Sequence, residues 1–325
     1  MMNSVANSVA LVTGATGFLG AALTHRLVAM GAEVHAFLRD LSSLWRIEEM
    51  TGRVKVWRGD VKNRASLEAC MRAVKPEVIF HLAGETAGRQ ALDDWAADDD
   101  SIATNFLGAV NAVRAAHASG TSRLRLFVRA GGLAEYGACP NLLRESQRER
   151  PLTAYAASQT AATHWCQMVQ SRLSFALVTL RLGLTYGPQQ SPDFFIPALI
   201  DALRRDEFFD VRAGARGRDF IFVDDVVDAL IAAATINSDP LRGTVLNVAS
   251  GRNSRLEEVA ALVGESLQRP HLVRVATAPT AGESVEVMRA DITASNRLLG
   301  WRPSTPLREG LERTIAQRTL LGGKK

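Results

Sequence analysis

Thr13-Gly14-Ala15-Thr16-Gly17-Phe18-Leu19-Gly20 follows the apolar run Val9–Thr13 and opens a stretch of helical spacing over 17–30 that stops at Gly31. A buried strand, a glycine turn and a helix in that order make a phosphate-binding signature. The glycines at 14, 17 and 20 divide three tasks: a tight turn, room for a pyrophosphate against the backbone, and close packing of helix on strand. Thr16, Phe18 and Leu19 complete the loop. Free N–H groups and the positive end of the helix dipole then face the phosphates of a dinucleotide.

Outward from this loop, strand and helix patterns alternate. Apolar runs lie at 34–38, 54–57, 78–82, 124–128 and 176–180, and helical patterns at 64–74, 101–119 and 153–173. About six alternations predict an α/β fold: a doubly wound parallel sheet of the Rossmann type with helices on both faces. Beyond 183 the rhythm loosens into short helices, near 197–204 and 226–234, and brief strands. Val245–Val248 is expected to rejoin the main sheet. The chain therefore divides into a dinucleotide-binding domain, 1–182 plus about 218–250, and a smaller α/β substrate cap, about 183–217 plus 251–325.

Composition narrows the function. The 325 residues are 47% hydrophobic and 22% charged, with a net charge of +4. That is enough apolar material for a core and excludes a disordered chain. Basic and acidic residues are interleaved, which argues against a nucleic-acid partner. Cys70, Cys139 and Cys166 have neither disulfide nor zinc spacing, so they read as buried thiols and no metal is expected. No apolar stretch of about 20 residues exists to cross a membrane, and the first residues lack a signal-peptide pattern. A cytoplasmic protein with a small-molecule substrate is expected.

The strand tips carry the remaining cofactor candidates. Arg39 and Asp40 end the second apolar run. A carboxylate there binds a ribose hydroxyl, whereas an arginine pairs with a 2′-phosphate. Arg39 comes first, and Ser42 and Ser43 add hydroxyls, so NADP is favoured with NAD as the alternative. Asp60 is placed to accept from an adenine amino group, or else serves a turn, and Val61 packs on the ring. Leu82, Ala83 and Gly84 leave room for the middle of the cofactor. Glu85 points towards the cleft as a candidate acid or base and substrate contact. Asp98, Asp99 and Asp100 read as acids preceding a helix that starts at Ser101.

Together these residues resemble the extended short-chain dehydrogenase/reductase family of NAD(P)-dependent sugar-nucleotide epimerases and dehydratases. The resemblance continues through Asn105-x-x-Gly108, Tyr136-Gly137, Tyr186-Gly187-Pro188, Arg218 to Asp225, Asn247-Val248 and Leu299-Gly300-Trp301-x-Pro303. The stretch from Glu33 to Arg39 is most similar to the GDP-mannose dehydratase branch. The family implies a tyrosine that moves a proton, here Tyr155. It also implies a lysine four residues later that holds the nicotinamide ribose and favours the tyrosine's anion, and a Ser or Thr four residues before Tyr136. Those two positions hold Gln159 and Gly132. Free tyrosine, with a pKa near ~10, is a poor base without a cation beside it.

The dehydratases' glutamate position holds Ala134, and Glu135, one residue late, would face away in an extended segment. Arg181 is followed by Leu184 where an asparagine is common. Thr280-Ala281-Gly282-Glu283 lacks the arginine of a diphosphate-binding segment. Arg218 remains to meet a phosphate, or pairs with Asp219 or Asp224. Arg129, Arg216 and Arg289 are candidate replacements. His81 reads as structural and His164 as a surface or interface residue. The family also implies a homodimer built on the helices near 101–119 and 153–173, whose alanines (Ala103, Ala109, Ala112, Ala115, Ala116, Ala157, Ala161 and Ala162) permit close packing.

Three functions stay open. One is a sugar-nucleotide epimerase, dehydratase or ketoreductase with non-standard catalytic residues. Another is a related enzyme of secondary metabolism acting on a non-nucleotide substrate. The third is a non-catalytic dinucleotide-binding sensor or partner subunit.

Overall fold

Val9–Thr13 forms β1 and is buried at every position, as expected of a strand covered on both faces. Its surroundings are given by a computed structural model, which describes residues 5–86, 95–137, 142–212, 215–275 and 288–321. The further strands are β2 (Glu33–Leu38), β3 (Val54–Arg58), β4 (Val78–His81), β5 (Leu126–Gly132) and β6 (Ala176–Leu182). With Val245–Val248 they make a seven-stranded sheet in the order Val245–Val248, β6, β5, β4, β1, β2, β3. Every pairing is parallel. The order reverses between β1 and β4, which opens a crevice at their carboxyl ends where ligands of such sheets bind.

Alternate residues of each strand feed two cores. Ala10, Val12, Phe80, Val128 and Val178 face α1 (Phe18–Ala29) and the helix Val223–Thr235. Leu11, Ile79, Phe127 and Leu177 face α2 (Arg64–Val74), α4 (Gly108–Ala118) and α5 (Ala154–Val169). A third core joins the helices Phe195–Arg204, Leu256–Ser266 and Leu307–Leu321 around Tyr186, Leu199, Phe222 and Val259. Three two-stranded pairs flank it: Leu184–Tyr186 with Phe220–Phe222, Gly217–Arg218 with Ser254–Arg255, and Phe209–Val211 with Val273–Val275.

Several expectations change. The helix read as starting at Ser101 already runs through α3 (Trp95–Ser101), so Asp98, Asp99 and Asp100 lie inside it. Solvent and an ion pair from Lys62 to Asp100 at 2.9 Å accommodate them there. A widened turn, Ile102–Leu107, links α3 to α4. The fifth strand reaches Gly132 rather than ending at Val128. Arg129 and the two glycines interrupt its apolar run, but the register with β6 continues to Gly132–Leu182.

Of the alanines expected to pack a dimer, Ala109, Ala112, Ala115, Ala116 and Ala162 are buried within the chain's own cores. Ala157 and Ala161 are exposed. Cys70 and Cys166 are buried free thiols, pushed up by burial to about 12 and about 11. Cys139 and the Thr280–Glu283 segment lie outside the described residues. Among the described residues no helix is long and apolar enough to cross a membrane.

Candidate active site

The loop after β1 is held by backbone contact. Gly14 has φ +71°, and a Cβ there would stand 2.7 Å from Ala83 N. A Cβ on Gly20 would fall against the Gly14 carbonyl. Only glycine satisfies both, and the turn is thereby drawn against the end of β4. α1 then starts after Gly17 with no side-chain cap and no acidic residue in its first turn. Its first N–H groups point at the crevice without a side-chain acceptor, which is the chemistry a pyrophosphate needs. Arg46 donates to the Thr16 carbonyl at 3.2 Å and to Gln189 O at 3.1 Å, tying the loop to the segment after Leu184–Tyr186.

Beneath the loop, Thr13 Oγ1 accepts from Ala83 N–H at 3.3 Å and bonds His81 Nδ1 at 2.9 Å. Burial, with Arg129 adding to it, lowers the His81 pKa to about 3. The ring is neutral and structural, as the sequence suggested.

At the adenosine end, Arg39 is exposed at the tip of β2. Arg58, on the adjacent tip of β3, donates to the carbonyls of Arg39 at 2.9 Å and Asp40 at 3.2 Å. Sequence reading missed Arg58, since its neighbour in register, Leu38, lies 20 residues away. Asp60 accepts from Lys62 N–H at 2.9 Å, the turn role that was its alternative. Val61 is buried beside Gly108, whose Cβ would lie 2.9 Å from Val61 Cγ2.

Leu82 and Ala83 follow β4 half-buried, and Gly84 is exposed. Glu85 is half-buried, and its Oε1 accepts from Thr86 N–H at 2.7 Å. Buried Asn105, turned inward by the widened helix, accepts from Glu85 N–H at 2.8 Å. It donates to Glu85 O at 3.0 Å and Ser158 Oγ at 3.1 Å. Widened turns of this kind recur at functional sites. Asn105 had been noted only as part of the resemblance, and here it braces the β4 end against α5.

α5 begins at Ala154 because Thr153 accepts from Ala156 N–H at 3.2 Å, a side-chain cap. That start puts Tyr155 in the first turn, buried, beside the end of β5. A Cβ on Gly132 would lie 3.5 Å from Tyr155 Oη, in ordinary contact. Gly132 is extended, φ −148° and ψ 153°, so neither backbone nor space demands glycine there. Gly131 is different. A Cβ there would collide with Glu135 Oε1 and sit 3.0 Å from Thr179 Cγ2.

Glu135 is why. Its segment forms a turn over Leu133–Tyr136 rather than an extended run, and the carboxylate is fully buried behind β5. It accepts from Gly132 N–H at 3.0 Å, Thr163 Oγ1 at 2.7 Å and Arg181 Nε at 2.9 Å. Arg181 also pairs with Glu149 at 2.5 Å and lies 4.5 Å over the Tyr136 ring. Burial presses the Arg181 pKa down, but Glu135, Tyr136 and Glu149 outweigh it and hold it above its ordinary value. Tyr136, pushed up by burial to about 12, donates to Asn247 Oδ1 at 2.8 Å.

Arg129 completes the network. It donates to Thr163 Oγ1 at 2.9 Å, to Gln159 O at 3.0 Å and to Gln159 Oε1. It is therefore spent inside the protein and does not replace a diphosphate contact. Arg289 donates to Gly251 O at 2.8 Å. Arg218 donates to Gly217 O at 2.9 Å. Asp219 accepts instead from Ser250, Gly251 and Ala290, with burial raising it to about 6. His164 is exposed and faces Glu149 at 3.3 Å.

A parallel sheet with this crossover and a glycine cradle at its switch point define a dinucleotide-binding α/β fold, with a tyrosine beside the end of β5. The chain belongs to the NAD dependent epimerase/dehydratase family, whose model matches residues 10–249. It is 30% identical to a UDP-glucose 4-epimerase of Mycolicibacterium smegmatis, covering 94% of this chain and 96% of that protein. It is 29% identical to a dTDP-6-deoxy-L-talose 4-dehydrogenase (NAD(P)(+)) of Kitasatospora kifunensis, covering 92% of each. Among solved structures, MoeE5 in complex with UDP-glucuronic acid and NAD superposes with a TM-score of 0.83 at 28% identity, covering 96% of this chain and 99% of that one.

Proposed function

We propose that this protein is a nicotinamide-dependent oxidoreductase acting on a carbonyl of a nucleotide-linked sugar, with Tyr155 as proton donor. The observation that carries the reading is the position of Tyr155: first turn of α5, Oη beside Gly132, at the mouth of the crevice. The relatives named above, which act on or bind UDP- and dTDP-sugars, support the substrate class. The cap at about 183–217 plus 251–325 would hold the sugar nucleotide, with Arg218 and Glu85 facing it.

Gly14, Gly17, Gly20 and the first turn of α1 would hold the pyrophosphate. Asp60, Val61 and the Leu82–Gly84 segment would line the adenosine and the middle of the dinucleotide. A reduced dinucleotide held by these residues would supply the hydride for reduction of a sugar carbonyl. Tyr155 Oη donates the proton that the carbonyl oxygen takes up, and water restores it. Gln159 is neutral, and with Tyr155 cast as proton donor reduction is the favoured direction. Arg39 and Arg58 at adjacent strand tips favour a 2′-phosphate, hence NADP(H), and Arg39→Ala narrows the preference.

A second reading, 4-epimerisation of a UDP-hexose, is favoured by the 30% identity to the mycobacterial epimerase. The exposed face bearing Ile102, Leu107, Ala157, Ala161 and Met168 fits a homodimer.

The test incubates the purified protein with NADPH or NADH and a UDP- or dTDP-linked 4-keto hexose, and separately with UDP-glucose. Consumption of NADPH, lowered about 10²–10⁴-fold in Tyr155→Phe, is expected. Full activity of Tyr155→Phe overturns the assignment of the proton. A C4 epimer from UDP-glucose without net consumption establishes the second reading.

A further inference from the structure

We infer that Arg129 is a positioning residue for the cofactor: it fixes the Gln159 side-chain amide so that its Nε2–H group is presented to the nicotinamide ribose. The inference rests on the reading of this crevice as a dinucleotide site and names what replaces the missing lysine there.

The orientation of the amide follows from chemistry. A guanidinium has five N–H donors and no acceptor. Arg129 Nη2 is bonded to the Gln159 side chain, so the atom facing it is the carbonyl oxygen. The amide cannot be turned round without setting NH2 against NH2. Arg129 is itself immobile: it is buried, and it also holds the Gln159 backbone carbonyl and the Thr163 hydroxyl. Thr163 must accept from Arg129, because its own proton goes to Glu135. Glu135 is locked in turn by Arg181 and by Gly132 N–H. The hydrogen bonds that link Gln159, Arg129, Thr163 and Glu135 each have one direction.

The other end of the amide is left over. No described residue accepts from Gln159 Nε2, and Nε2 is not among the buried unpartnered atoms. Gln159 lies four residues after Tyr155, so both side chains share one face of α5. A donor with no protein partner, beside the tyrosine, suits the hydroxyls of a ribose.

The charge has therefore moved rather than vanished. A cation on the helix is replaced by a cation on β5, acting through a neutral amide whose carbonyl it polarises. Gly131 belongs to the same rearrangement, since its missing Cβ makes room for Glu135.

Fluorescence titration of the full chain with NADPH and NADH, beside thermal unfolding, tests this. Gln159→Glu keeps a partner for Arg129 but removes the Nε2–H donor. Melting temperature should hold or rise while dinucleotide affinity falls about tenfold or more. Arg129→Met should weaken binding about tenfold in the unaltered background and have no further effect in Gln159→Leu, a non-additive cycle. Arg129→Lys should recover part of the loss. Wild-type affinity in Gln159→Glu overturns the inference, and so does an Arg129→Met effect that persists in Gln159→Leu. Absence of binding by the unaltered chain overturns the proposed function and the inference together.

Discussion

At the loop after β1 the protein works through backbone: Gly14 against Ala83, Gly20 against Gly14, and an uncapped first turn of α1. At the ends of β5 and α5 it works through side chains. Tyr155 stands beside a buried network that joins Arg129, Thr163, Glu135, Arg181 and Glu149. The difference teaches how much each end can drift. A backbone cradle tolerates only glycine, so it stays recognisable. A side-chain constellation can be rebuilt, provided charge and hydrogen bonds are balanced at each position. Here two arginines face two glutamates, and the lysine position is neutral.

The largest effect expected from breaking this contrast is in the side-chain network. Glu135→Ala strips a fully buried partner from Arg181 and Thr163. It should destabilise the protein by about 3–5 kcal/mol in urea unfolding, the usual cost of stranding a buried charge. Glu135→Gln, which keeps shape and part of the hydrogen bonding, should cost less. Equal losses would mean that charge is not what holds the network.

Next comes the backbone cradle. Gly14→Ala puts a methyl into Ala83 at a positive φ and should weaken dinucleotide binding by about 100-fold, close to 2.7 kcal/mol. Unfolding scans without cofactor separate this from a loss of fold. An affinity within threefold of wild type would show that the loop does not approach its ligand closely.

The two ends are joined by His81, which contacts Thr13 and faces the Arg129 charge. Its pKa falls from 6.5 to about 3 on folding, so the unfolded chain binds the extra proton in that window. Its contribution to stability is present above 6.5 and is lost progressively as pH falls towards 3. By pH 5 the loss should be about 2 kcal/mol. In His81→Asn the acid limb of the stability curve should flatten. An unchanged limb would assign acid sensitivity to other groups.

The smallest effect sharpens the comparison. Gly132→Ser adds a hydroxyl where space and backbone both allow it. Stability should change by no more than about 0.5 kcal/mol. Gly131→Ser, one residue earlier, should lose far more because its Cβ meets Glu135. Gln159→Lys should also lose stability, since it sets an ammonium against the Arg129 guanidinium. Restoring the family's lysine alone is therefore not a route back to its usual relay.

Much of this was legible in the sequence. The helix at 64–74 and the strand at 245–248 stand where their patterns put them. Glycines, apolar runs and caps are local signals, each readable within a few residues. Asp98–Asp100 misled because acids before a helix and acids inside its exposed face look alike in one dimension. The alanines of the helices near 101–119 and 153–173 are ambiguous for a related reason: small residues mark close packing without naming the partner, and Ala109, Ala112, Ala115, Ala116 and Ala162 pack inside the chain.

What the sequence by itself determined is the sheet and its glycine cradle, because backbone geometry and residue identity need no distant contact. Only the tertiary structure decided that Gly131 makes room while Gly132 does not. It alone decided that Glu135 turns inward to Arg181, and that Arg129 grips Gln159 from the strand below. These pairs lie 30 or more residues apart in the chain, and their meeting follows from strand register and helix docking, which no local pattern encodes.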